Sequence, residues 1–164
     1  MKTGIERLHF MIGSWDIEAF QMTSNGEWQP SPEPKETRID SVFDGVFLRE
    51  DEVRMMAGEQ IIRFFIMWSY DQFRQTYRMV ASDDSEGLMD ILEGGFAEGS
   101  NTIVVSNLKT GTAVQSEEGK TVNLRLTSTK DSQDQFTDEM HESYDDGKTW
   151  LAVYRAIHTR QLAY

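Results

Sequence analysis

Short runs of alternating apolar and polar residues, each closed by a cluster of turn formers, follow one another along almost the whole chain and restrict it to an antiparallel β fold. Trp15, Ile17 and Ala19 alternate with Asp16 and Glu18 ahead of Ser24-Asn25-Gly26, a period of two that puts one set of side chains on each face of a strand. Further runs of strand character lie at 37–43, 46–55, 60–70, 76–82, 88–92, 102–108, 121–128, 136–144 and 149–159, separated by turn clusters such as Asp44-Gly45, Gly94-Gly95 and Glu117-Glu118-Gly119. With the first, these make about ten strands, and nothing between them reads as a crossover helix. Neighbours joined by short turns pair antiparallel, and a sheet of this many strands curls or closes on itself. The expected fold is all-β, an up-and-down antiparallel β-barrel.

Two segments break the rhythm. Ile5, Leu8 and Ile12 recur at helical spacing and Gly13 follows, which predicts a short amphipathic helix at the amino terminus. Pro30, Pro32 and Pro34, all the prolines of the chain, fall within six residues, a stiff extended connection that cannot join a central ladder. The 164 residues fit a single domain, 1–164, able to bury one sizeable core.

Charge narrows the partners. Sixteen Lys and Arg against 28 Asp and Glu leave a net charge of −12, which repels a phosphate backbone and an anionic membrane surface. No nucleic acid and no membrane partner is expected. The absence of cysteine removes thiolate metal sites, disulfides and cysteine nucleophiles. The first seven residues lack the apolar core of a signal peptide, and the large apolar run 64–68 is too short to span a bilayer. These features predict a soluble, cytoplasmic protein.

Ser143-Tyr144-Asp145-Asp146-Gly147-Lys148-Thr149-Trp150 reads as a tight hairpin turn, with carboxylates that fold back onto turn amides and a glycine suited to positive φ. Its pattern resembles the Asp box of sialidase propeller blades, but one copy in a chain this short excludes a propeller. Leu8, Gly13 and Trp15 behind the short helix resemble the opening of the calycin group, the lipocalins and fatty-acid-binding proteins, whose Trp closes one end of the barrel. Together with 43–50, Trp68-Ser69-Tyr70-Asp71, Tyr77 and the final hairpin bearing Tyr154 and Arg155, the chain is similar to an uncharacterised bacterial family of lipocalin-like proteins. It departs from that pattern at Val46, where a small residue is expected, and in a last strand that runs on through His158 to Tyr164. The resemblance implies a barrel with an internal cavity and supplies no catalytic residues.

Several residues are candidates for a ligand site. If the final hairpin pairs symmetrically about Asp146-Gly147, Asp138 faces Arg155, Met140 faces Val153 and Phe136 faces Ile157. Arg155 then either binds a ligand carboxylate, as interior arginines do in fatty-acid-binding proteins, or is satisfied by Asp138, or the two face solvent. A bulge at Gly147 instead sets Arg155 beside Thr137. Trp68, Tyr77, Met79 and Met140 suit either an adaptable apolar cavity or ordinary core. His158, near the end of the last strand, offers a haem ligand of the kind found in nitrobindin-type barrels, whereas His9, His141 and His158 together have no metal-site spacing. Alternation separates Asp138 from Glu139 and His141, which breaks an acid–base triad, and no nucleophile elbow, phosphate loop or H-E-x-x-H occurs. Apolar residues on both faces of 61–68 predict a homodimer contact. The expectation is a noncatalytic binder of a small hydrophobic or amphipathic molecule, with the cofactor, if any, left unassigned and a small enzyme on the same fold as an alternative.

Overall fold

The computed structural model describes residues 4–162. A 3-10 helix, Gly4–Met11, is followed by twelve strands: β1 Gly13–Met22, β2 Trp28–Ser31, β3 Glu36–Val42, β4 Phe47–Ala57, β5 Gln60–Asp71, β6 Thr76–Asp83, β7 Met89–Phe96, β8 Thr102–Ser106, β9 Val114–Gln115, β10 Thr121–Ser132, β11 Gln135–Ser143 and β12 Leu151–Arg160. Ten of them form the ring β12-β1-β3-β4-β5-β6-β7-β8-β10-β11, closed because β11 pairs with both β10 and β12. The pairings are antiparallel throughout. The chain is thus a closed ten-stranded barrel, which leaves no long unpaired edge.

β2 and β9 stand outside the ring and were not legible as strands. β2 pairs with β1 from Ala19 to Met22, on the side where β3 takes over from Gly13 to Asp16. Pro30 sits opposite Phe20 in this short edge ladder, a place where a missing amide is tolerated. The proline-rich segment therefore steps the chain from one partner of β1 to the next. β9 is a two-residue pairing on the start of β10.

The amino-terminal helix seals one end. Its buried residues are Ile5, Leu8 and Met11, a spacing of three, because side chains at i and i+3 eclipse in a 3-10 helix. The expected α-helical stripe through Ile12 is thereby corrected: Met11 goes inside and Ile12 is only half-buried. Trp15, 1% exposed, donates its indole N–H to Met11 O at 2.8 Å and meets Phe136 edge-on at 4.7 Å. Tyr77 Oη donates to Gly4 O at 2.6 Å and ties the helix to β6. The main core, including Leu8, Trp15, Leu48, Trp68, Met79, Leu92 and Val105, fills this half of the barrel.

The last hairpin departs from symmetric pairing. Asp138 lies opposite Ala156, Met140 opposite Tyr154 and Phe136 opposite His158, with a register shift between Met140 and His141. Both expected positions of Arg155 are overturned, since it pairs with Glu139. The turn itself holds the symmetric register. The Asp145 carboxylate accepts from Thr149 N at 2.9 Å and from Thr149 Oγ1 at 2.6 Å, while Ser143 Oγ accepts from Gly147 N at 2.8 Å. Thr149 is consumed by the turn and β12 begins at Leu151, where Glu142↔Leu151 and His141↔Ala152 keep that register; the partners slide by one residue only at the bulge beyond, which leaves Val153 unpaired between Ala152 and Tyr154. Gly147 has φ +83°, as the turn chemistry requires. β12 stops at Arg160; Tyr164, to which the last strand was expected to run, lies outside the described residues.

Candidate ligand site in the barrel interior

Alternation decides which charged groups enter the barrel. Leu48 is fully buried on β4 and the same face carries Glu50, paired opposite Ile66 of β5, which in turn faces Ala81 of β6. On β11 the buried Phe136 shares its face with Asp138 and Met140, and on β12 the buried Ala156 and His158 share theirs with Tyr154. Glu50, Asp138, Tyr154 and His158 therefore all point inward. Each arrives there because it sits an even number of residues from a core position.

Two neutral hydroxyls hold the carboxylates. Thr37 Oγ1 donates to Glu50 Oε2 at 2.7 Å, and Ser128 Oγ donates to Asp138 Oδ1. Burial pushes the Glu50 carboxyl up to about 7, the Thr37 hydrogen bond opposes the shift, and the negative charge of Asp138 adds to it. Asp138 is raised as well, again mainly by burial, with His158 and Ser128 opposing. Tyr154 is held above its ordinary value by burial and by the charges of Asp138 and Glu50. Burial pushes His158 down, against the pull of Asp138. The four groups form one coupled polar belt within an apolar barrel.

The belt is not sealed from solvent. Glu50, Asp138 and Tyr154 are deep enough for burial to dominate their ionisation, yet all three residues keep accessible surface, as do the inward-facing Ile66, Ala81, Leu124 and Met140. These side chains point inward without being packed to exclusion, unlike the core beneath the helix. Outside the wall, a recess of about 520 Å3 is lined by Asn107, Lys109, Thr121, Asn123 and Asp146 among others. It is shallow and holds none of the coupled groups, so the interior is the stronger candidate.

The residues expected to line a site divide three ways. Asp138 and Met140 face the interior beside the buried Phe136. Trp68, Tyr77 and Met79 are 3%, 6% and 3% exposed and belong to the packed core beneath the helix. Arg155 is on the outer face, donating to Glu139 Oε2 from Nε at 3.0 Å and Nη2 at 2.9 Å and lying over the Trp28 ring at 4.4 Å. His158 is 5% exposed and its ring stacks on Phe136 at 4.0 Å with an interplanar angle of 10°. A haem plane beside His158 requires that stack to open. Glu139 and His141 share the outer face, with Nε2 and Oε1 2.9 Å apart, as alternation requires.

Sequence reasoning missed Glu50, Tyr154, Thr37 and Ser128. The signal for Glu50 and Tyr154 was present in the period of two from Leu48 and His158, but a polar residue in an alternating strand reads as solvent-facing until closure turns that face inward.

Known proteins locate this arrangement. A family of proteins of unknown function, DUF1579, matches residues 5–160. The chain belongs to the DUF1579 family. No curated protein matches it. Among solved structures, the crystal structure of Rv2717c from M. tuberculosis superposes with a TM-score of 0.65 over 99% of each chain at 15% identity, a similarity that shows the common fold. Among the described residues of this DUF1579 member, no helix is long and apolar enough to cross a membrane, and no group of three His, Cys, Asp or Glu side chains is placed to hold a metal ion.

Proposed function

We propose that this DUF1579 barrel is a noncatalytic container for a small apolar or amphipathic molecule, in the manner of lipocalins and fatty-acid-binding proteins. The observation that carries this reading is the set of deep, inward-facing residues that keep accessible surface: Glu50, Ile66, Ala81, Leu124, Asp138, Met140 and Tyr154. Apolar walls with a few convergent polar groups of perturbed pKa are the usual composition of a small-molecule site. Trp68, Tyr77 and Met79 serve it as a rigid floor beneath the lumen. The turn at 143–150 is read as an Asp box used to build the hairpin. A haem held by His158 is the less favoured alternative, because it needs the Phe136 stack to be broken.

The test fills the space. Ala81 faces inward between Ile66 and Asp90, so Ala81→Trp should occupy the lumen and weaken binding of 1-octanol by at least about tenfold, as read by calorimetry. Equal binding by the parent and a folded Ala81→Trp variant would sink the interior site. The exposed apolar residues of β5, Ile61 and Phe65, support a second-copy contact, which sedimentation across a concentration series reads directly.

A further inference from the structure

The interior carboxylates of Glu50 and Asp138 are each satisfied on one oxygen only. That oxygen is engaged by a hydroxyl, Glu50 Oε2 by Thr37 and Asp138 Oδ1 by Ser128. Among the described residues, Glu50 Oε1 and Asp138 Oδ2 receive no hydrogen bond. The arginines of the surrounding strands face outward and are spent there: Arg49 on Asp51 at 2.8 Å, Arg78 beside Glu93 at 3.6 Å, and Arg155 on Glu139. The inward group with a basic nitrogen near Asp138 is His158, 5% exposed, whose Nδ1 has no hydrogen-bond partner.

We propose that the occupant of the lumen is a cationic amphiphile, a primary amine or similar donor head on an apolar body, with its head seated between Glu50 and Asp138. This rests on the container reading above and names the class of ligand. A carboxylate buried without a cation is costly, and a partner that supplies positive charge and N–H donors removes that cost. The protonated amine offers three donors, and two acceptors stand ready in Glu50 Oε1 and Asp138 Oδ2. Its apolar body would lie against Ile66, Ala81, Leu124 and Met140, which already border the core. The same geometry disfavours a fatty acid. An anionic head would enter a site with two carboxylates and no guanidinium, the reverse of the arginine-based recognition expected from the sequence.

The groups facing inward bear on its protonation: Glu50 from β4, Asp90 from β7, which is held by Asn107 and Thr112, Asp138 from β11, and Tyr154 and His158 from β12. At pH 8 both Glu50 and Asp138 favour the amine, while burial disfavours the histidine cation, so it sets no positive charge against the head. The experiment compares n-octylamine, 1-octanol and octanoate on the full chain by titration calorimetry at pH 8. Octylamine is expected to bind at least about tenfold more tightly than octanol, and octanoate least well. In the double variant Glu50→Gln and Asp138→Asn the amine-to-alcohol ratio should fall to near one.

If octanol binds and octylamine binds no better, the amine assignment is overturned while the container reading stands. If none of the three binds, the container reading falls and takes the assignment with it. A ratio that survives in the folded double variant removes Glu50 and Asp138 as the readers of the head. The single Glu50→Gln variant, which should lower the ratio partway, decides the matter if the double variant does not fold, and the wild-type comparison needs no variant.

Discussion

Glu50 shows how a single side chain takes its properties from where the barrel places it. The same residue on the outer wall is an ordinary carboxylate. Inside, desolvation outweighs the Thr37 hydrogen bond, and the free carboxyl titrates near 7 rather than 4.5. The folded state then binds the Glu50 proton more tightly than the unfolded chain does, so stability associated with that proton is present below about pH 4.5 and is lost as pH rises through 7. The shift from 4.5 to about 7 corresponds to about 3 kcal/mol. Glu50→Gln, which keeps the hydrogen-bonding shape without the charge, should therefore gain on the parent by about that amount between pH 4.5 and pH 8, as read by urea denaturation. His158 acts in the opposite sense, losing stability as pH falls because burial disfavours its cation, and it is common to both proteins. Parallel stability profiles for the two would show that Glu50 is not the buried acid described.

At the scale of elements, close backbone approach and turn chemistry decide which substitutions a strand tolerates. Gly94 of β7 lies so near β8 that an added Cβ would stand 2.0 Å from the Val104 carbonyl oxygen. Backbone cannot move aside as a flexible side chain can. Gly94→Ala should cost more than about 2 kcal/mol and speed amide exchange along β7 and β8, whereas Gly95→Ala, whose Cβ would meet only a Tyr77 ring carbon at 3.7 Å, should be mild. Equal stability of the two variants would contradict the β7–β8 register.

The turn at 143–150 combines two constraints. Gly147 has φ +83° and an added Cβ would stand 2.9 Å from Leu108 Cδ2, while Asp146 has φ 58°. Gly147→Val should lower the melting temperature markedly, because a β-branched residue strains in that region, and Asp146→Asn should change it little, because Asn tolerates it. A Gly147→Val protein that melts with the parent would exclude the assigned turn. The low value of the Asp145 carboxyl, about 2, has the same origin: the Thr149 hydroxyl and amide and the Ser143 hydroxyl all donate to it.

Across the whole molecule, closure is the property from which the rest follows. β12 pairs with β1, and β11 with β10, so the amino-terminal strand meets the carboxy-terminal one and neither end is stable alone. A ring closed by its first and last strands should unfold in one step, with tryptophan fluorescence and far-ultraviolet dichroism giving coincident transitions. Separate midpoints would mean that part of the barrel folds without closure. Contacts between chain ends also lengthen the loops that must close, and they place folding in the slower range of β proteins.

Fold class, strand number and the sealed end were legible because they depend on local pattern. Trp15, Ile17 and Ala19 announce an inward face by their spacing, and Ile5 and Leu8 announce a helix that must lie on something apolar. The polar interior was not legible from the same pattern. Whether Asp138 meets Arg155 or Ala156 is a matter of one residue of register, and that register was decided by the bulge at Val153, between the His141↔Ala152 and Met140↔Tyr154 pairs. One step of slip moved Arg155 to the outer wall and brought Tyr154 and His158 inward beside Asp138. Period two in the sequence specifies that two faces exist; only the closed tertiary structure, by making one of them an interior with a low dielectric, turned Glu50 and Asp138 from surface acids into buried, coupled ones.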